Sequence, residues 1–215
     1  MRYPSLTDPK LAEFIGILLG DGCIGRYVCK KGKRSGIQHK IQITCNAVDD
    51  KEYVVYLESL IKDLFDIEAR RSLREERTCD VSMFKQEPFY FLTNVVGLLQ
   101  SPKWNRATIP DRYLGTPLEN DILRGYFDTD GSVVVTKNNT ILYPRLEMKI
   151  SPSPMKEQFI EILKRNGFNY HCYDIGSGKV RIQINGKKQL EKWCGQVGFR
   201  NYKHVRKARR FIECF

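Results

Sequence analysis

Two nine-residue apolar segments stand half the chain apart. They are Phe14-Ile15-Gly16-Ile17-Leu18-Leu19-Gly20-Asp21-Gly22 and Leu123-Arg124-Gly125-Tyr126-Phe127-Asp128-Thr129-Asp130-Gly131. Each carries small residues four apart and ends on Asp-Gly, and the stretches C-terminal to them also repeat. A strand and a turn lead into a second strand of clear alternation. In the first half Gln38, Lys40, Gln42 and Thr44 alternate with Ile37, His39, Ile41 and Ile43. In the second, Arg145, Glu147, Lys149 and Ser151 alternate with Leu146, Met148 and Ile150. Period-two alternation buries one face of a strand and wets the other. Helices are then predicted over about 50–65 and 153–166, the second with Ser153 as N-cap and Pro154 at its first position. Strands come next over 67–74, 78–84, 168–174 and 179–184, and each half closes with a helix, near 88–99 and 187–196.

The pattern predicts an α+β fold of two pseudo-twofold-related αββαββα halves. The motif helices pack at the interface, and the antiparallel sheets together form a saddle. Residues 1–100 make the first half, 101–117, with Pro102, Pro110 and Pro117, the linker, and 118–215 the second half with a basic tail.

Charge adds a partner. Lys and Arg number 36 against 25 acids, a net +11, an excess that favours a polyanion. It is concentrated. Arg26, Lys30, Lys31, Lys33, Arg34 and Lys40 form one unopposed group, and Arg200, Lys203, Arg206, Lys207, Arg209 and Arg210 another. The proposed DNA face is Arg26, Lys30, Gln38, Lys40, Gln42, Arg70, Arg74, Arg145, Glu147, Lys149, Arg181 and Gln183, residue types that bond phosphates and base edges. No apolar run approaches the roughly 18 residues of a membrane span, and the polar start of the chain does not read as a signal peptide. A soluble, intracellular protein is expected, in the cytoplasm or an organelle. The seven cysteines are scattered without Cys-x-x-Cys pairs, so buried thiols are expected rather than a zinc site.

The acids are the part that helix packing alone does not explain. A carboxylate at a helix C-terminus opposes the helix dipole, and pairing the two helices adds repulsion between Asp21 and Asp130. A bound cation relieves both. Hard oxygen ligands with no histidine or thiolate favour Mg²⁺, two ions or more, with Mn²⁺ able to substitute.

Both segments resemble the LAGLIDADG motif of homing endonucleases, and the element order is similar to that family's across nearly the whole chain. Two copies imply the single-chain, monomeric form. The resemblance implies double-stranded DNA as partner and metal ions held by Asp21 and Asp130, helped by the carbonyls of Gly20 and Thr129. It implies hydrolysis of phosphodiesters on both strands of a long asymmetric site. Leu19 stands where the motif often has an acid. The family also implies a basic residue at the end of the fourth strand of a half, which places Lys85 as the catalytic candidate. In the second half the pattern breaks at Asn185, leaving Lys187 or Lys188. Cys45, beside Asn46, falls where relatives carry a polar, water-positioning side chain. Two rivals use the same scaffold: an RNA-binding intron maturase, the one case in which RNA is a partner, and a non-enzymatic DNA-binding regulator. The presence of both acids favours the nuclease. With no splicing residues at its ends, a free-standing, intron-encoded protein is expected.

Overall fold

The computed structural model describes residues 3–31, 34–74, 77–138 and 141–213. Its elements run α1 (Pro9–Leu19), β1 (Gly22–Lys31), β2 (Arg34–Asn46), α2 (Lys51–Phe65), β3 (Arg70–Arg74), β4 (Thr78–Met83) and α3 (Gln86–Tyr90). The second half repeats this order with α4 (Glu119–Asp130), β5 (Gly131–Asn138), β6 (Ile141–Ile150), α5 (Met155–Arg165), β7 (Tyr170–Asp174), β8 (Val180–Asn185) and α6 (Lys187–Gln196). A further helix, α7 (Tyr202–Ala208), carries the basic tail. Each half holds one antiparallel sheet, ordered β1-β2-β4-β3 and β5-β6-β8-β7. The α+β fold of two like halves is thus observed. Among the described residues no helix is long and apolar enough to cross a membrane.

The centre is the α1–α4 pair. Every residue of α1 from Leu11 to Leu19 is buried, because this helix is enclosed on all sides. Asp8 starts it by accepting the N–H of Lys10, with Pro9 in the first turn. The glycines explain how closely the helices approach. A Cβ on Gly16 would strike the carbonyl of Ile122, and one on Gly125 the carbonyl of Glu13. Away from the Asp-Gly ends, Arg124 crosses the contact to bond Glu13 at 2.7 Å and also meets Asp121 at 2.6 Å. Tyr56 donates its hydroxyl to Glu13 at 2.6 Å. A buried carboxylate is tolerated only when so partnered.

The structure corrects several local expectations. Helix α5 starts at Met155 with no side-chain cap, and Ser153 bonds the carbonyl of Ser151 instead. The closing helix of the first half is α3 continued by a π-helical stretch over Phe91–Val96, ending at Gly97 with φ 94°. Cys45 and Cys79 are buried thiols paired across β2 and β4, but Cys172 is exposed.

Candidate active site and nucleic-acid interface

At the C-terminal ends of α1 and α4 the two Asp-Gly turns come together. Gly20 has no side chain because its neighbour across the contact needs the room. A Cβ there would collide with Thr129 Oγ1 and stand 3.0 Å from Oδ2 of Asp130. Thr129 satisfies its own hydroxyl by donating to the carbonyl of Tyr126 at 2.9 Å. Asp21 and Asp130 therefore face one another across the helix ends. Burial raises the Asp130 carboxyl, and the charge of Asp21 adds to it, to about 7. Burial raises Asp21 as well, with Asp50 adding to the rise and Lys203 and Lys103 opposing it.

Those two lysines are the site's cations. Lys103, in the segment joining the halves, donates to the carbonyls of Leu19 and Gly20, each at 3.0 Å, and to that of Leu18. It thus occupies the free carbonyls of the α1 terminus, where a cation also meets the negative end of the helix dipole. Burial lowers its ammonium to about 8, against the pull of Asp130. Lys203, at the start of α7, instead pairs with Asp50 at 2.8 Å. Asn201 donates to Asp50 at 2.8 Å and to the carbonyl of Asp128 at 3.0 Å. Burial would raise the Asp50 carboxyl, but the hydrogen bonds from Asn201 and Lys203 and the lysine charge hold it below its ordinary value. Helix α7 is seated by His204, buried against the rings of Phe127 and Phe199.

Lys85 is exposed at the residue before α3, and the cations whose charge acts most on Asp21 and Asp130 are Lys103 and Lys203. Asn185, Lys187 and Lys188 are likewise exposed, at the end of β8 and the start of α6. Sequence reasoning looked at strand ends and missed the stretches after the closing helices. A signal was available there: Ser101-Pro102-Lys103 and Asn201-Tyr202-Lys203 come after those helices at like spacing. Asp128 also becomes intelligible. It is buried and accepts the N–H of Arg200 at 2.7 Å, holding the approach to Lys203, whereas Ser101 gives its N–H to Ile24. Burial raises Asp128 to about 8. Cys45 faces the core, and Asn46 is used in the turn, accepting the N–H of Val48 and of Asp49.

Strand register sorts the proposed DNA face. Gln38, Lys40, Gln42, Arg70 and Arg74 share the polar side of the first sheet with Thr44, Asp80 and Ser82. Arg26 does not, because it pairs with His39, whose ring is buried against Phe89 and Tyr90. Tyr27, opposite Gln38, takes the polar place beside it. Lys30 belongs to β1, but its side chain lies outside the described residues. In the second sheet Arg145, Glu147, Lys149, Arg181 and Gln183 all share one side, joined by Ser132, His171 and Tyr173. Carboxylates hold parts of this surface in place. Asp80 accepts from Thr44 at 2.9 Å and from Arg74 at 2.8 Å, and Glu147 accepts from Gln183 at 2.9 Å and pairs with Arg145. A cavity of about 470 Å³ runs beside Asp130, lined also by Gly20, Lys103, Trp104, Lys149 and Lys179. The ammonium of Lys179 stands 5.2 Å from the Trp104 ring centre.

Two crowded carboxylates suit a hard divalent cation such as Mg²⁺, which is commonly held by one or two carboxylates, with water and phosphate oxygens completing its shell. Burial lifts Asp130 most and the repulsion from Asp21 adds to it, and a cation between the acids would offset both. The Gly20 carbonyl, expected as a further ligand, accepts from Lys103 here. Among the described residues no group of three or more His, Cys, Asp or Glu is placed to hold a metal.

Comparison with known proteins agrees with this architecture. Residues 118–198 match the model of the LAGLIDADG-like domain. The structure is similar to that of the meganuclease I-SmaMI bound to uncleavable DNA, with a TM-score of 0.63 at 11% identity, covering 94% of this chain and 88% of that one. It is similar to the LAGLIDADG homing endonuclease I-GzeII in complex with its DNA target, with a TM-score of 0.62 at 12% identity and coverage of 93% and 87%. It is also similar to I-DmoI in complex with DNA and Mn, with a TM-score of 0.58 at 17% identity and coverage of 88% and 96%. None of the curated proteins matches the chain. The match to that model is confined to the second half. The chain as a whole has the two-domain fold of the single-chain LAGLIDADG homing endonucleases.

Proposed function

We propose that this protein is a site-specific, divalent-metal-dependent endonuclease that cuts both strands of a long asymmetric DNA duplex, of the homing kind and intron-encoded. The observation that carries the reading is the meeting of Asp21 and Asp130 at the helix ends, flanked by two lysines and bordered by two polar sheet faces. A nonspecific scaffold has no use for two carboxylates forced together, which costs stability unless a cation is bound.

Asp21 and Asp130 would hold Mg²⁺, two ions or more, with Mn²⁺ as a substitute, and the bound metal would supply activation of a water and neutralisation of the leaving oxygen. The chain's own residues do the rest. The polar faces of the two sheets form the saddle that takes phosphates and base edges, from Gln38, Lys40, Gln42, Arg70 and Arg74 to Arg145, Glu147, Lys149, Arg181 and Gln183. The carboxylates of Asp80 and Glu147 pre-set the arginines and amides around them. Lys103 and Lys203 place positive charge beside the scissile phosphates, one in each half of the site. Thr129 and Gly20 fix the helix ends at the spacing the acids require. A single chain with two unlike halves acts as a monomer and has no obligation to a palindromic site.

The experiment is incubation with a randomised duplex library and Mg²⁺, then sequencing of cleaved ends, with Asp130→Asn as control. One recurrent site cut only by the wild-type chain is expected. Retention of DNA without cutting in any divalent metal would favour a binding protein instead.

A further inference from the structure

The helices that come after the first strand pair of each half begin differently. Asp50 precedes α2, whereas Pro154, which has no acceptor on its side chain, precedes α5. The consequence falls on the lysines. Lys203 of the second half reaches Asp50 of the first at 2.8 Å, with the carboxylate largely buried and Asn201 bonded to the same oxygen. Lys103 meets carbonyls, and among the described residues it forms no ion pair with a carboxylate. One lysine is therefore held by neutral carbonyls, and the charge of the other is matched by an acid.

We propose that Asp50 is a positioning residue that holds Lys203 in an ion pair, so that the strand served by Lys203 is cut more slowly than the strand served by Lys103. The proposal rests on the nuclease reading of the paired acids. It needs no new chemical step: a carboxylate within hydrogen-bond distance competes with a phosphate for the same ammonium, and its removal leaves the ammonium to the phosphate. The buried setting strengthens that competition, since a partly buried pair is screened little by solvent or salt. Asn201 makes the hold directional by keeping the carboxylate in place against the Asp128 carbonyl.

The test uses the full chain and duplexes labelled differently on each strand, carrying the site recovered from the library. Lys103→Met and Lys203→Met assign a strand to each lysine. Asp50→Asn keeps the side-chain shape and an acceptor for Asn201 while removing the charge. It is expected to speed the Lys203 strand several-fold, to leave the other strand unchanged, and to give no gain when combined with Lys203→Met. Pro154 is exposed, so Pro154→Asp is the variant least able to disturb folding. It places a carboxylate at the position in the second half that corresponds to Asp50, and it is expected to slow the Lys103 strand. A separate readout in metal-free protein, acetylation of Lys203 by acetic anhydride read by mass spectrometry, should rise in Asp50→Asn. Absence of cutting by the wild type would remove the nuclease reading and leave the labelling result standing by itself. Unchanged strand rates in both variants, slowing of the Lys203 strand by Asp50→Asn, or unchanged labelling would overturn the proposal.

Discussion

The two halves agree where their helices meet and differ where their lysines are held. In each, an apolar helix with small residues four apart ends on Asp-Gly, and packing delivers Asp21 and Asp130 to the same place. Around that shared pair the first half contributes Lys103 on bare helix carbonyls, and the second contributes Lys203 on a carboxylate of the opposite half. The difference teaches that the acids are fixed by backbone geometry that neither half can alter alone. The cations hang on single side chains and are free to diverge.

The strongest way to break this comparison is through the acids. Asp21→Asn and Asp130→Asn should each abolish double-strand cutting, with a loss on the order of a thousandfold or more, since a metal site supplies several kcal/mol of transition-state stabilisation. DNA affinity measured by gel shift should change little. Full cutting by either variant would mean that the halves do not share one site.

A smaller effect sharpens the contrast between the lysines. The Asp130 carboxyl is lifted to about 7, so it is protonated and a poor metal ligand below that pH. Lys103 is lowered to about 8, so it loses its charge above that pH. Cutting at subsaturating Mg²⁺ should therefore fall below about pH 7, a fall that moves to lower pH as Mg²⁺ is raised, and fall again above about pH 8. Lys103→Arg, which stays charged, should lose the alkaline fall and keep the acid one. A profile that is the same in Lys103→Arg would remove Lys103 from the chemistry.

The smallest effect is on stability without metal. A carboxyl whose folded pKa is raised binds its proton more tightly when folded, so the wild type should lose stability as pH climbs from about 4, the ordinary value, to about 7, the folded one. Asp130→Asn lacks that dependence. It should be the more stable protein at pH 8, by an amount on the order of 1–3 kcal/mol, and the less favoured one in saturating Mg²⁺. Thermal melts of the two across this range check the sign; a wild type that gains on the variant as pH rises would contradict it.

Most of the fold was legible because it is written twice. Period-two runs such as Ile37–Thr44 and Leu146–Ile150 locate the central strands, and the repeated Asp-Gly ends locate the helix pair. The acids could be read because a charge ending an apolar helix has no packing explanation. The lysines were not found by periodicity, because their role depends on where a proline-bearing segment and a short tail fold back; only the like spacing of Lys103 and Lys203 after the closing helices marks them. Arg26 was misplaced for a related reason: beyond the core, a strand's helix-facing side also reaches solvent, so an exposed cation there looks like one on the polar face. Ser153 before Pro154 looked like a helix start, but here Pro154 itself occupies the cap position.

The central claim, one pair of shared acids served by two unlike lysines, is tested most directly by tracking a supercoiled plasmid carrying the cleavage site through time in Mg²⁺. Unequal service of the strands predicts that a nicked circle builds up before linear product. Passage from supercoiled circle straight to linear, with no nicked species at any time, would show that the two lysine settings are functionally equal and would contradict the account.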